Sequence, residues 1–153
     1  MQSQPTTEQI LNDLAREVAE NIIPSVSEPT LQVNLEMMEQ LLRACAIRSA
    51  HEIAWMQEEA IQIETLADKM LEKKEHPTIS QALEKYRFEK SNNLDLHDQV
   101  ENYHLAGQLF EAIIVVVADL DNSKLTDSVS ALIRLRVEHE GELIKNFYFP
   151  GRS

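Results

Sequence analysis

The chain has a single cysteine, Cys45, so no internal disulfide can form, and a zinc ribbon or finger is excluded for want of a cysteine pair. It has only 3 glycines, at 107, 141 and 151, and they form neither a phosphate-binding loop nor a dinucleotide fingerprint. No nucleophile-elbow sequence is present. With 5 prolines beside those 3 glycines, the turn residues that a sheet protein needs at its hairpins are scarce, which favours long helices joined by few loops. Positive charge is short as well: 14 Lys and Arg face 26 Asp and Glu, a formal net charge of −12. Such an acidic surface repels phosphate backbones and anionic lipid, and no basic cluster interrupts it, so neither nucleic acid nor a membrane surface is expected as a partner. No apolar run approaches the ~20 residues of a membrane span. The opening MQSQPTTEQ is polar and lacks the basic start and apolar stretch of a signal peptide, so a cytoplasmic protein is expected.

What is present is ordinary for a globular chain: 43% hydrophobic and 26% charged residues over 153 positions. That suffices for one domain with a real core. Cys45, in the apolar stretch RACAIRSA, reads as a buried, inert thiol.

Hydrophobic spacing is helical almost throughout. Thr6 with Gln9 three residues later forms a capping-box start, Ile10, Leu11, Leu14, Val18 and Ile22 follow, and Ile23-Pro24 is expected to end the element. The longest periodic segment runs from about 30 to 75. Leu31, Leu35, Met38, Leu42, Ala46, Ser49, Ile53, Met56, Ala60, Ile63, Ala67 and Met70 step along it by threes and fours, all apolar except Ser49. One helix of that length reaches ~60–70 Å, too long for a domain of this size, so it bends, breaks, or packs its far end on another chain. After Lys73–Pro77, Thr78 is expected to cap a shorter helix to Lys90 carrying Ile79, Leu83, Tyr86 and Phe88. A buried central helix is expected over about 94–120; its β-branched run Ile113–Val117 has strand propensity, but no partner strands exist. A last helix spans about 126–145. The fold class is all-α, a bundle of about five helices in a single domain, 1–153. Homodimerisation through the long helix is expected, since its apolar stripe exceeds what one domain covers.

Three constellations carry possible chemistry. His97, Glu101 and His104 share a helix face, and Glu101 to His104 has the Glu-x-x-His spacing of carboxylate metal sites. A di-metal bundle needs two such motifs and two further glutamates, and only one motif is here, so a solvated face is the plainer reading. Arg43, Arg48, His51 and Glu52 lie among small residues on the long helix, where an arginine could hold an anion; surface i, i+4 pairing such as Arg48 with Glu52 is the plainer reading. The tail NFYFPGRS holds Phe147, Tyr148 and Phe149, three of eight aromatics, which either close the end of the bundle or dock a protein partner. No motif calls for a cofactor, and catalysis has no positive signal.

The stretch TTEQILNDLAREVAENIIPSV resembles the opening of a family of small bacterial helical proteins classed as a domain of unknown function, encoded beside or fused to aminoglycoside-phosphotransferase-like and acyl-CoA-dehydrogenase-like enzymes. The capped start, Ile10-Leu11, Val18, Ile22 and the Ile23-Pro24 stop carry the likeness, over about the first half of the chain. Where that family's long helix often opens on Arg-Val-Ala, this chain reads QVNLEMMEQ, and KNFYFPG only loosely echoes its Asn-Pro-aromatic ending. The resemblance implies an accessory role near a small-molecule enzyme and supplies no catalytic residue. The expectation is therefore a non-enzymatic interaction module, with a bundle binding a metal or small ligand as the alternative.

Overall fold

A computed structural model of the chain describes residues 4–120, 122–145 and 147. The fold is an all-α helical bundle, and no strand occurs among the described residues. The elements are α1 (Thr7–Glu17), a π-helical turn (Val18–Ile22), α2 (Ile23–Ser25), α3 (Pro29–Leu71), α4 (Pro77–Glu89), α5 (Leu96–Ala118) and α6 (Ser123–Ile144). They gather into two compact units, residues 1–52 with 139–153, and residues 53–138. Both α3 and α6 contribute to each.

Local sequence chemistry sets most boundaries. Thr6 opens α1 with the expected capping box: its hydroxyl accepts from Gln9 N at 3.2 Å, and Gln9 Oε1 accepts from Thr6 N at 2.9 Å. Pro24 does not stop this element at Ile23. The helix widens into the π turn at 18–22, continues through α2, and leaves helical geometry only at Val26. A proline ring clashes with the carbonyl four residues back, and the wider turn relieves that clash without breaking the chain's course. Pro29 and Pro77 stand at helix starts, where their missing N–H is harmless. The cap position of α4 is consequently His76, not Thr78.

The second unit holds the core. Ile63 and Met70 from α3, Ile79 from α4, and Leu109 and Ile113 from α5 are the largest fully buried side chains. Tyr86, Phe110, Val129 and Leu132 complete the packing around them. α5 is thus the buried central helix, packed directly on α4. Arg87 ties α4 to α3, reaching Glu64 and Asp68 at 2.7 Å each, and Lys90 adds a second bond to Glu64 at 3.2 Å. Phe88, grouped with the apolar positions of α4 by spacing, is 91% exposed and takes no part in that core.

The first unit is built differently. Its buried apolar residues among those described are Ala15, Val18 and Ala46, none of them large. Ile10, Leu14, Leu31, Met37, Met38 and Leu41 are exposed.

Candidate functional site

α3 changes character along one stripe. Ala60, Ile63, Ala67 and Met70 are buried, Leu35 and Leu42 are half-buried, and Leu31 and Met38 are 43% and 53% exposed. Beside Leu31 and Met38 on the same flank lie Val33, Met37 and Leu41, with exposures of 39%, 53% and 54%. Cys45 extends that flank and is exposed, correcting the buried thiol expected from its neighbours in sequence. The opposite flank of the same turns carries Gln40, which is buried, and Gln32, Glu36 and Glu39, which are half-buried. An α-helix repeats at 100° per residue, and on that wheel Leu31, Val33, Asn34, Met37, Met38, Leu41, Ala44 and Cys45 fill an arc of roughly 160° with no charge in it. The segment therefore leaves a broad, uncharged and largely apolar arc exposed, while its covered side mixes Leu35, Leu42 and Ala46 with Gln32, Glu36, Glu39 and Gln40.

The sequence-derived candidates fare unequally. His97, Glu101 and His104 are all exposed on α5. Helical spacing predicts an apolar face of Leu96, Val100, Tyr103, Gly107, Phe110, Ile114 and Val117, with the His-Glu stripe on its flank. The buried stripe of α5 is instead Gln99, Asn102, Ala106, Leu109, Phe110, Ile113 and Val117, a rotation that leaves Leu96 and Ile114 exposed. That rotation puts the His-Glu face roughly opposite the core rather than on its flank. Among the described residues no group of three His, Cys, Asp or Glu side chains is placed to hold a metal ion. Arg48 makes the i, i+4 pair with Glu52 at 3.5 Å, and His51 is exposed nearby. Arg43 pairs with Glu39 on its own helix, and both line a cavity of about 350 Å³ with Gln40, Ala44, Ile47, Leu143 and Phe147. Two candidate sets thus meet here, since Phe147 returns to the arginine. Tyr148 and Phe149 lie outside the described residues.

Spacing gave no hint of the polar network in the second unit. Glu59, 4% exposed, accepts a hydrogen bond from the Tyr103 hydroxyl at 2.5 Å and pairs with Arg136 at 3.2 Å. Arg136 Nε also donates to the Tyr103 oxygen at 2.9 Å and stands 5.2 Å from its ring centre. Burial, and then the bond and charge of Glu59, push the Tyr103 hydroxyl up to about 12 from 10.0, with Arg136 opposing. The phenol stays a neutral donor at any ordinary pH. Burial pushes Glu64 up, but its bonds to Arg87 and Lys90 and their charges outweigh that and hold its carboxyl below the usual range.

Next to this network the loop after α4 is pinned by amides. Asn102 donates to Ser91 O and accepts from Ser91 N, each at 2.8 Å. Gln99 donates to Asn93 O and accepts from Gln57 at 3.1 Å. Neither buried amide could have been found from periodicity, which counts polar residues as outward-facing. No helix among the described residues is long and apolar enough to cross a membrane. Comparison with protein-family models, with curated proteins and with solved structures finds no match to this chain, so only its own geometry speaks to function.

Proposed function

We propose that the protein is a non-enzymatic interaction module that pairs with a second copy of itself through the first half of α3. The observation that carries this is the change in burial along a single stripe: covered at Ala60, Ile63, Ala67 and Met70, bare at Leu31 and Met38. Contiguous exposed apolar patches mark interaction sites in folded chains. The first unit also buries no large apolar side chain of its own among those described. A segment with so small a core gains stability from being covered.

A second copy suits this face better than a foreign partner. The arc from Leu31 to Cys45 carries no charge, on a chain whose formal net charge is −12. A partner must bring an equally uncharged apolar patch, and an identical helix related by a two-fold axis brings one by symmetry. Each half-exposed Leu, Val or Met still has roughly 1 kcal/mol to gain from full cover, about half the value for complete burial. Five such residues on each of two copies offer about 10 kcal/mol, and an association cost of at least about 4 kcal/mol leaves about 6 kcal/mol, a dimer that dissociates in the range of tens of micromolar or above.

Sedimentation velocity over a concentration series tests this, with Leu41→Asp as the comparison. The native chain should pass from monomer to dimer between about ten micromolar and one millimolar, while Leu41→Asp stays monomeric with an unchanged far-ultraviolet circular dichroism spectrum. A native chain that remains monomeric throughout, or a variant that associates equally well, would overturn the reading.

A further inference from the structure

We propose that the second unit contains a small-molecule site, independent of the α3 face, that takes a single flat ring bearing a carbonyl or carboxylate acceptor. The site is a cavity of about 260 Å³ bounded by α3, α4, α5 and the loop between α4 and α5. A cavity of ~150 Å³ already admits benzene, so this one accommodates one ring with a polar substituent.

Its lining specifies the ligand's chemistry. Tyr86 and Tyr103 supply aromatic walls, and both are held in place. Tyr103 is fixed through its hydroxyl by Glu59 and Arg136, and Tyr86 lies under the Lys90 ammonium, 4.9 Å from ring centre to Nζ. At the floor, Gln99 and Asn102 are 5% and 8% exposed and bonded to the backbone of the loop, so the protein's own hydrogen bonds hold the cavity's shape. At the mouth, Ile61 and Leu94 are 60% and 64% exposed and form an apolar rim. Pockets of this make-up, apolar with a few convergent polar groups, are where small molecules bind.

Lys90 is the one charged side chain among the described residues that line the cavity. Lys90 gives one of its three N–H groups to Glu64, and its Nζ stands over the Tyr86 ring. Gln57 gives one of its two amide N–H groups to Gln99 and keeps the other. Asn92 adds an amide at the edge. Lys90 therefore favours a ligand that accepts a hydrogen bond, the lining amides can serve either partner, and the ring has two tyrosines and the Ile61–Leu94 rim to lie against. Glu64 beside Lys90 offsets part of the positive charge, which leaves a neutral carboxamide and a singly charged carboxylate both admissible.

The test is a titration of the isotopically labelled full chain with benzoate and, separately, benzamide, followed by backbone amide shifts. At least one probe should give saturable shifts centred on Gln57, Lys90, Asn92 and Leu94. The tighter of the two identifies the acceptor as carboxylate or carboxamide. Lys90→Met should weaken that probe about tenfold, the loss expected for one charge-assisted hydrogen bond. Asn92→Trp, a change at an exposed loop position, should block both probes; melting curves check that each variant is folded. The proposal is overturned by the absence of saturable shifts with both probes. Shifts centred instead on the Arg43–Phe147 cavity would overturn it too, as would undiminished binding in both folded variants.

Discussion

Removing Arg136 takes away a cation that the buried Glu59 side chain pairs with, and the size of the effect follows from the geometry. Glu59 is 4% exposed, Arg136 Nε is 3.2 Å away, and the Tyr103 hydroxyl joins both. Breaking a fully buried ion pair costs about 3–5 kcal/mol, because one charge is left stranded in a poor solvent. The Arg136 side chain is 38% exposed, so water already shares its field, and Glu59 keeps the Tyr103 bond. Arg136→Met should therefore destabilise by about 2 kcal/mol, discounted for that screening. Glu59→Gln keeps an acceptor for Tyr103 and removes the charge, and should cost about 1–2 kcal/mol. Together the two substitutions leave no stranded charge, and the double variant should be less destabilised than the sum by roughly 1 kcal/mol or more. Urea unfolding followed by circular dichroism gives all four stabilities. If the double variant equals the sum of the singles within about 0.5 kcal/mol, the three residues do not act as one network.

Alkaline pH should expose the same network by another route. The Tyr103 hydroxyl holds its proton to about 12 in the folded chain against 10.0 unfolded, so its contribution is complete below pH 10 and is lost between pH 10 and 12 as the unfolded state ionises first. That difference corresponds to about 2.7 kcal/mol, and since the residue is only half-buried, solvent screening reduces it to about 1 kcal/mol. Unfolding midpoints measured across this range should fall more steeply for the native chain than for Tyr103→Phe; equal slopes would assign the loss to other groups. Gly107→Ala should raise stability by about 0.5–1 kcal/mol, since a mid-helix glycine is entropically costly. A Cβ built there meets nothing within 4 Å, so no clash offsets the gain. Thermal melting of that variant decides it, a lowered midpoint being the contrary result.

The helical class was legible because the apolar spacing is almost unbroken and turn residues are few. The ends of α3, Pro29 and Leu71, fall near the expected 30 and 75 for the same reason. The Thr6 box could be read because it is a contact between residues three apart, with no tertiary partner required. What could not be read depended on neighbours distant in the chain. α5 is rotated so that Gln99 and Asn102 face inward, because the loop backbone at 91–93 needs hydrogen-bond partners, and that demand outweighs placing Leu96 inside. The Glu59–Tyr103–Arg136 group joins three residues 33 and 44 positions apart, which no local spacing encodes. Arg43 and Phe147 were each picked out as candidates, but their meeting at one cavity depends on the return of α6 and was invisible in the linear pattern.

The contrast between the two halves of α3 has a consequence for how the chain moves. Resistance to local opening rises with the apolar contacts that must be given up, and falls where backbone hydrogen bonds are bordered by water. Around Ile63, Ala67 and Met70, opening a turn of α3 means dismantling the core. Around Val33, Met37 and Leu41, it releases side chains that already face solvent. Amide protons along this one continuous helix should thus exchange over a wide span of rates, slowest near its C-terminal turns and fastest near its first. Unbroken hydrogen bonding in a helix does not make it equally persistent along its length.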